Sequence, residues 1–230
     1  MWPLGTKWAR SLTIQHRLGL PRKFDSAAWR TIGGLEDGVR CDPLQALRRD
    51  AMNFCAQCGN PITVKIPDGD SLPRAVCESC GIIHYENPRM VVGCIPESGA
   101  HILLCRRAIE PRHGFWTVPA GFMENGETLA KGAARETREE ALAEVEIGEL
   151  CAIMDVVRAR QVHVFFRATL VGDTFGAGHE SLETRLFLED EIPWDEIAFP
   201  SVRFALETWF EDRRQGSQRL HTTAWRPDSG

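Results

Sequence analysis

Five glutamates are concentrated in one short stretch of this 230-residue chain, GFMENGETLAKGAARETREEAL. Three of them, Glu136, Glu139 and Glu140, stand at positions i, i+3 and i+4, so on a helix their carboxylates would lie on one face. Like charges repel unless a cation binds among them, and hard ions such as Mg²⁺ prefer carboxylate oxygens. The spacing therefore predicts either a divalent-metal site suited to phosphoryl chemistry or a solvated acidic face balanced by Arg135 and Arg138.

Four cysteines form two matched C-x2-C pairs, Cys55 with Cys58 and Cys77 with Cys80, each followed by a glycine. Such pairs supply four thiolates to one tetrahedral zinc ion, and a glycine permits the tight turn around each pair. We expect a structural Zn²⁺ in a small ribbon over residues 52–87, where metal binding contributes folding energy. A redox or disulfide role is the alternative.

The segments around the glutamates predict the elements that hold them. MVVGCIP and AHILLCRR are expected to form a hairpin, and HGFWTVPAGF a strand and loop broken by Pro119 and Gly121. ETLAKGAARETREEALAEV predicts a helix of about four turns, EIGELCAIMDVV and RQVHVFFRATLVG predict strands, and SVRFALETWFEDRR predicts a closing helix. Cys94, Cys105 and Cys151 fall in apolar stretches and are expected in the core.

Composition and charge narrow the class of protein. The chain is 43% hydrophobic and 26% charged, which is typical of a globular protein. No apolar run approaches the roughly 18–20 residues of a membrane helix, so we expect no membrane span and a cytoplasmic location. Residues 1–51 carry nine basic and five acidic side chains, and the remainder carries 18 basic and 27 acidic ones. The excess of acidic side chains in residues 52–230 argues against general nucleic-acid binding.

Both ends of the chain are expected to lie outside the folded body. Residues 1–51 are expected to be a poorly ordered extension or to precede a true start at Met52. A transit peptide is the alternative, because the first 30 residues are basic with a single acid, Asp25. Residues 215–230 are polar and predict a disordered tail. The main domain is then expected over residues 88–214.

The spacing of the residues from Gly121 to Glu140 resembles the Nudix box, the signature of hydrolases that act on nucleoside diphosphates linked to another moiety. Gly121 is followed after five residues by Glu127, after seven more by Arg135 and Glu136, and after two more by Glu139 and Glu140. The preceding GFWTVPAG is also similar to the family's lead-in strand and loop. The resemblance covers about residues 88–213 and implies an α/β (α+β) fold. In that fold an α/β/α sandwich with a mixed sheet follows the zinc ribbon.

Two positions depart from the family pattern. Thr137 stands where the family has an aliphatic residue, and Leu142 occupies the place of a second glycine. Both departures are expected to affect helix packing and the helix end more than the metal ligands.

The resemblance implies a role for each matched residue. The ligands of Mg²⁺ or Mn²⁺ would be Glu136, Glu139, Glu140 and the carbonyl of Gly121, with Glu127 assisting. Arg135 would be structural, pairing with a carboxylate, and would complete the catalytic set. The general base would be Glu139 or Glu140, and Glu180 or Glu183 could instead reach in from a loop, although ordinary loop acids are the alternative for these two.

A zinc ribbon before a Nudix domain looks like two groups, the NADH pyrophosphatases and proteins described as ADP-ribose or FAD pyrophosphatases. The first group carries a SQPWPFP-type stretch after the box, where this chain has AIMDVVRARQVHVFF. The chain is similar to the second group in IPDGD, CGIIHYENPRMVVGC, RHGFWTVPAGF and ESLETRLFLEDEIPWDEIAF. We therefore expect FAD or ADP-ribose as the small-molecule substrate, with NADH as the alternative. Trp116, Phe165 or Phe166 could stack on a base, and each could equally belong to the core.

A function of another class is a catalytically inactive nucleotide sensor whose ribbon binds nucleic acid or protein. The complete glutamate set argues against it, and the ribbon lacks a basic stripe. Members of the family are often dimers, so a homodimer is possible, but no stretch of this sequence identifies an interface.

Overall fold

The computed structural model describes residues 52–226, which form a small three-stranded sheet followed by an eight-stranded mixed sheet with helices on both faces. The expectations for the extension over residues 1–51 and for the final residues 227–230 lie outside the described residues. Cys41 is among the residues that the structure does not describe.

The small sheet forms the ribbon. Its strands are β1 (Thr63–Lys65), β2 (Arg74–Val76) and β3 (Ile83–His84), and they pair antiparallel in the order β1-β2-β3. The two cysteine pairs lie in turns next to these strands, so three short strands are sufficient to bring the turns together.

The large sheet supplies the scaffold of the main domain. Its strands are β4 (Arg89–Ser98), β5 (His101–Arg107), β6 (Trp116–Thr117), β7 (Ala120–Phe122), β8 (Val145–Val156), β9 (Gln161–Leu170), β10 (Ser181–Phe187) and β11 (His221–Trp225). Their order is β10-β5-β4-β9-β8-β11, with β6 paired to β5 and β7 paired to β4. The β4–β9 and β8–β11 pairs are parallel and the other pairs are antiparallel, so the sheet is mixed, as predicted.

Two longer helices flank this sheet, α1 (Leu129–Ala141) and α2 (Pro200–Gln215), and single 3-10 turns occupy Val157–Ala159, Glu189–Glu191 and Trp194–Glu196. Helix α1 begins later and ends earlier than its sequence pattern suggested. Thr128 caps its start by accepting a hydrogen bond from the Lys131 N–H at 3.2 Å, and Leu142 turns the chain into the left-handed region at its end. Within residues 52–226 no helix is long and apolar enough to cross a membrane.

Neighbouring residues on the central strands bury their side chains on opposite faces of the sheet, because strand side chains alternate. On one face, Ile95, Leu104 and Phe165 share a hydrophobic cluster with Val202, Leu206 and Trp209 of α2. On the other face, Cys94, Leu103 and Phe166 cluster with Ala133 and Ala141 of α1. The α/β/α sandwich is therefore confirmed, and Cys94, Cys105 and Cys151 are buried in its two cores as expected.

The prediction of a disordered tail over residues 215–230 is wrong for its middle part, because strand β11 adds to the sheet beside β8. The attachment is polar. The buried carboxylate of Asp212 accepts hydrogen bonds from the Arg219 backbone N–H at 2.9 Å and from the Ser217 hydroxyl at 3.0 Å. It also pairs with Arg167 of β9. A polar segment could therefore be ordered without an apolar pattern in its own sequence.

Candidate active site and zinc site

The four cysteine sulfurs of the ribbon lie together. All four Sγ atoms are within 4.8 Å of one another, with 3.7 Å between Cys55 and Cys80 and 3.5 Å between Cys58 and Cys77. Zn–S bonds of about 2.3 Å in a tetrahedron imply S···S edges of about 3.8 Å. The measured separations fit that geometry, and they are far longer than the roughly 2.05 Å of a disulfide bond.

The two cysteine turns repeat each other in their backbone geometry. The N–H of Gly59 donates to the Cys55 carbonyl at 2.8 Å, and the N–H of Gly81 donates to the Cys77 carbonyl at 2.8 Å. Both glycines have φ near +75°, at 72° and 75°, a region that side chains disfavour. Hydrogen bonds from the backbone and side chain of Asn60 lower the pKa of the Cys58 thiol to about 6. A lowered thiol pKa favours the thiolate, the form that binds metal. In Cys80 the Ile82 backbone hydrogen bond acts in the same direction, but burial and the other three thiols raise its pKa to about 12.

The glutamate face predicted for α1 is present, and its members differ in environment. Glu136 and Glu140 point toward the sheet and are 8% and 6% exposed, whereas Glu139 is exposed. Gly121 allows the close approach of β7 to this face. A β-carbon built at Gly121 would lie 2.4 Å from the Glu136 carboxylate, so any larger residue there would displace that carboxylate from its present position.

Arg135 connects the carboxylates. Its guanidinium donates to Glu127 Oε1 at 2.9 Å, to Glu136 Oε1 at 2.8 Å and to Glu139 Oε2 at 3.0 Å. It also donates to the Phe122 carbonyl of β7 at 3.0 Å. The pairing lowers the pKa of Glu127 below its usual value. The expectation that Arg135 pairs with a carboxylate thus agrees with its position.

Glu140 is the most deeply placed of the acids. One of its carboxylate oxygens accepts a hydrogen bond from the Ala120 backbone N–H at 3.1 Å. Burial raises the pKa of Glu140 to about 8, even though the Ala120 hydrogen bond acts in the opposite direction, and the charges of Glu136 and Glu180 raise it further. Burial likewise raises the pKa of Glu136. Burial therefore disfavours the ionised form of both acids more than the nearby hydrogen bonds and positive charges favour it.

A set of carboxylate oxygen donors on one helix face fits a hard divalent cation such as Mg²⁺ or Mn²⁺. Across residues 52–226 the cysteine cluster is the group whose potential metal-binding atoms already lie within 4.8 Å of one another. The carboxylates of Glu136, Glu139 and Glu140 lie on one helix, but they do not form a group whose oxygen atoms are all within 4.8 Å of one another. Arg135 Nη1 lies between the first two, and Glu140 turns to Ala120.

The other predicted residues are distributed differently. Glu180 lies near enough for its charge to act on Glu136 and Glu140, whereas Glu183 pairs with Arg106 at 4.0 Å. The possible stacking residues Trp116, Phe165 and Phe166 are all buried in the core. Their burial is explained by core packing and leaves no exposed face for a base.

Sequence reasoning missed two contributors to the site. The Ala120 N–H, which binds Glu140, belongs to the backbone and leaves no signal in residue type. The loop at Gly178, from a distant part of the chain, contacts the last turn of α1, where the Gly178 N–H donates to the Glu140 carbonyl at 3.0 Å. The GAG sequence preceding His179 is the one feature that could have drawn attention to it.

Family comparisons agree with this arrangement of ribbon and domain. Residues 53–86 match the model of the Nudix N-terminal zinc ribbon, and residues 87–206 match the model of the NUDIX domain. A crystal structure of a NUDIX hydrolase from Nitrosomonas europaea is 52% identical with a TM-score of 0.74. It covers 76% of this chain and 99% of its own.

Two relatives carry more specific names. The NAD-capped RNA hydrolase NudC of Stutzerimonas stutzeri is 28% identical over 70% of this chain and 56% of its own length. The ADP-ribose pyrophosphatase of Methanocaldococcus jannaschii is 27% identical over 47% of this chain and 67% of its own length. The chain thus spans little more than half of the NudC relative. The match to the NUDIX domain model over residues 87–206 shows that this chain belongs to the NUDIX family.

Proposed function

We propose that this protein is a metal-dependent pyrophosphohydrolase that cleaves the diphosphate linkage of an ADP-containing compound. The observation that carries the proposal is the pair of buried carboxylates, Glu136 and Glu140, beside the backbone of Gly121 and Ala120. Buried acids with too little compensating charge are unfavourable in a protein unless they bind a cation or a proton. Their position together on one helix face next to β7 supports a catalytic use.

The residues of the chain would share the work as follows. Glu136, Glu139 and Glu140 would supply carboxylate oxygens for Mg²⁺ or Mn²⁺, together with the Gly121 carbonyl. Arg135 would hold Glu127 and the glutamate face in register with β7 through the Phe122 carbonyl. A bound divalent ion polarises phosphoryl oxygens and lowers the pKa of a bound water. Because Glu139 is exposed, its carboxylate could accept a proton from a water molecule at the mouth of the site.

The proposed substrates are grouped by a chemical feature that they share. ADP-ribose, FAD and NADH all contain adenosine 5′-diphosphate joined to a second group, and water attack on the diphosphate yields AMP and a second phosphomonoester. The ADP-ribose pyrophosphatase relative supports the first of these compounds. We propose ADP-ribose or FAD as the substrate, as the sequence segments suggested.

NADH or a 5′-terminal NAD group on RNA is a second candidate. It is favoured by the similarity to the NAD-capped RNA hydrolase, which extends over 166 residues and 70% of this chain. For the four cysteines we propose a structural Zn²⁺, because their sulfur separations fit a tetrahedron.

The test is a set of parallel incubations with Mg²⁺ or Mn²⁺ and one of ADP-ribose, FAD, NADH, NAD-capped RNA or a nucleoside triphosphate, with products separated by chromatography. We expect metal-dependent formation of AMP from ADP-ribose or FAD. A preference for NADH or NAD-capped RNA would select the second candidate. Binding of these compounds without any cleavage would contradict the proposed hydrolytic activity and would favour a nucleotide sensor.

A further inference from the structure

Two glycines of a distant loop complete the end of helix α1. The last carbonyls of a helix have no partners within it and must be satisfied from outside. Here the Gly176 N–H donates to the Ala141 carbonyl at 2.8 Å, and the Gly178 N–H donates to the Glu140 carbonyl at 3.0 Å. Leu142, whose left-handed conformation costs a residue with a side chain about 1–2 kcal/mol, contributes one further bond to Arg138. The loop therefore holds the turn that carries Glu139 and Glu140.

Gly178 lies so close to this turn that no side chain fits. A β-carbon at Gly178 would lie 1.8 Å from the Glu139 carbonyl oxygen and 3.0 Å from the Glu140 carbonyl carbon. Both are backbone atoms, so a larger residue would force the loop and the helix apart. A β-carbon at Gly176 would meet only Leu142 Cδ1, at an ordinary contact distance of 3.7 Å. Neither glycine has positive φ, so space alone distinguishes the two positions.

The same loop leads directly to Glu180. The Ser181 N–H donates to the Gly178 carbonyl at 3.1 Å, and the Ala108 N–H donates to the Glu180 carbonyl at 2.8 Å. Glu180 is thereby fixed between the end of β5 and the glutamate face, where its charge acts on Glu136 and Glu140. A shift at Gly178 would change the position of the helix turn and of Glu180 together.

We propose that Gly178 is a positioning residue of the active site, whose contact with the Glu139 and Glu140 backbone sets the arrangement of the carboxylates that bind the divalent ion. This inference rests on the proposed function for its catalytic consequence. Its structural part, the effect of Gly178 on metal binding, can be tested without turnover.

The experiment compares Gly178→Ala with Gly176→Ala in the full chain. Binding of Mn²⁺ alone is measured by electron paramagnetic resonance, and kcat, KM and Tm are measured alongside. We expect Gly178→Ala to weaken Mn²⁺ binding and to lower kcat by about tenfold or more, because small misplacements of catalytic groups have effects of this size. Gly176→Ala should stay within about twofold of the parent, as an ordinary van der Waals contact predicts.

A Gly178→Ala protein with a lowered Tm but with the Mn²⁺ affinity and kcat of the parent would overturn the proposal, because its role would then be stability alone. If the parent cleaved no diphosphate compound, the proposed function would fail, and the Mn²⁺ affinities would still decide the inference.

Hydrogen exchange of the parent provides a second measurement if Gly178→Ala does not fold. The Gly176 and Gly178 amides should become more protected when Mn²⁺ binds, and unchanged exchange would overturn the proposal.

Discussion

The guanidinium of Arg135 binds both carboxylate oxygens of Glu127, with Nε 3.1 Å from Oε2 and Nη2 2.9 Å from Oε1. Such a two-point contact fixes the orientation of both side chains. The remaining donor, Nη1, contacts Glu136 and Glu139, so a single cation holds three of the four acids of the site. Arg135 thereby joins the loop before α1 to the face of the helix that carries the proposed ligands.

Arg135→Lys should weaken both activity and stability, because an ammonium group cannot reproduce the planar fork of donors. We expect kcat to fall by at least about tenfold and the free energy of unfolding to fall by about 1–3 kcal/mol. Arg138→Lys is the matched control, since Arg138 pairs with Glu144 on an exposed surface and should change stability by at most about 0.5 kcal/mol. Equal effects of the two substitutions in denaturant unfolding and turnover would contradict this assignment of roles.

Cys58→Ser should release zinc from the ribbon. We expect about one zinc ion per parent chain by atomic absorption, and loss of that zinc to a chelator in the variant. The Tm should fall by several degrees, because metal binding contributes folding energy to so small a sheet. Glu78→Gln, which removes an exposed partner of Lys65 in the same ribbon, should retain zinc and Tm. A Cys58→Ser protein with unchanged zinc and Tm would show that the four-cysteine site is wrong.

Asp212→Asn should detach strand β11. Burial acts to raise the pKa of Asp212, but hydrogen bonds from Arg219 and Ser217, with the His221 ring nitrogen 3.1 Å from Oδ1, outweigh it and hold the pKa below its usual range. Loss of the charge would leave the buried Arg167 without its partner, so we expect a loss of about 3–5 kcal/mol in unfolding free energy.

The neighbouring exposed Glu211 provides the control for this substitution. Glu211→Gln affects only surface partners and should change stability by at most about 0.5 kcal/mol. Protease cleavage near residue 218 should become faster in Asp212→Asn alone. Equal resistance in both variants would mean that the tail is held by other contacts.

The burial of the His163 imidazole predicts that the protein loses stability in mild acid. Its Nε2 lies 2.9 Å from the Gln161 side-chain oxygen and its Nδ1 lies 2.8 Å from the Ser201 hydroxyl. A hydroxyl can donate to Nδ1 while Nε2–H donates to the amide oxygen, so these partners accommodate the neutral ring. Burial lowers the pKa of His163 from 6.5 to about 4. Between these values the unfolded chain binds more protons than the folded one, so stability falls as the pH is lowered from 6.5 toward 4.

The parent should therefore lose about 2–3 kcal/mol more than His163→Gln between pH 7 and pH 4.5 in denaturant unfolding. Loss of a metal ion from the ribbon in acid would affect both proteins alike and would cancel in the comparison. Parallel stability curves for the two proteins would contradict the buried neutral imidazole.

Local spacing was sufficient to predict the features that depend on neighbours in sequence. The cysteine pairs are set by the geometry of two turns, and Glu136, Glu139 and Glu140 are set by the period of one helix. The hairpin of β4 and β5 and the strands β8 and β9 followed from alternating or continuous apolar residues. Thr137 shows why its departure from the family pattern is tolerated: it is fully buried, but its hydroxyl donates to the Ala133 carbonyl at 2.8 Å.

Features that depend on distant partners could not be predicted in this way. Strand β11 is polar and is held by Asp212, a contact that a local pattern does not encode. The contact of Gly178 with the end of α1 and the bond of Ala120 to Glu140 both use backbone atoms, which are the same for every residue type. The Nudix resemblance predicted which acids belong to the site. Their unequal burial could not be predicted, because it depends on how α1 packs against β7.

If the glutamate face of α1 performs metal-dependent hydrolysis, cleavage must depend both on the divalent ion and on Glu139. The most direct measurement is the initial rate of diphosphate cleavage against Mn²⁺ concentration for the parent, Glu139→Gln and the exposed control Glu149→Gln, on the best substrate from the panel. We predict no cleavage with a chelator and a rate in Glu139→Gln lower by about 10²-fold or more, with Glu149→Gln equal to the parent. A parent rate that is independent of metal, or a Glu139→Gln rate equal to that of the parent, would contradict a catalytic role of the glutamate face.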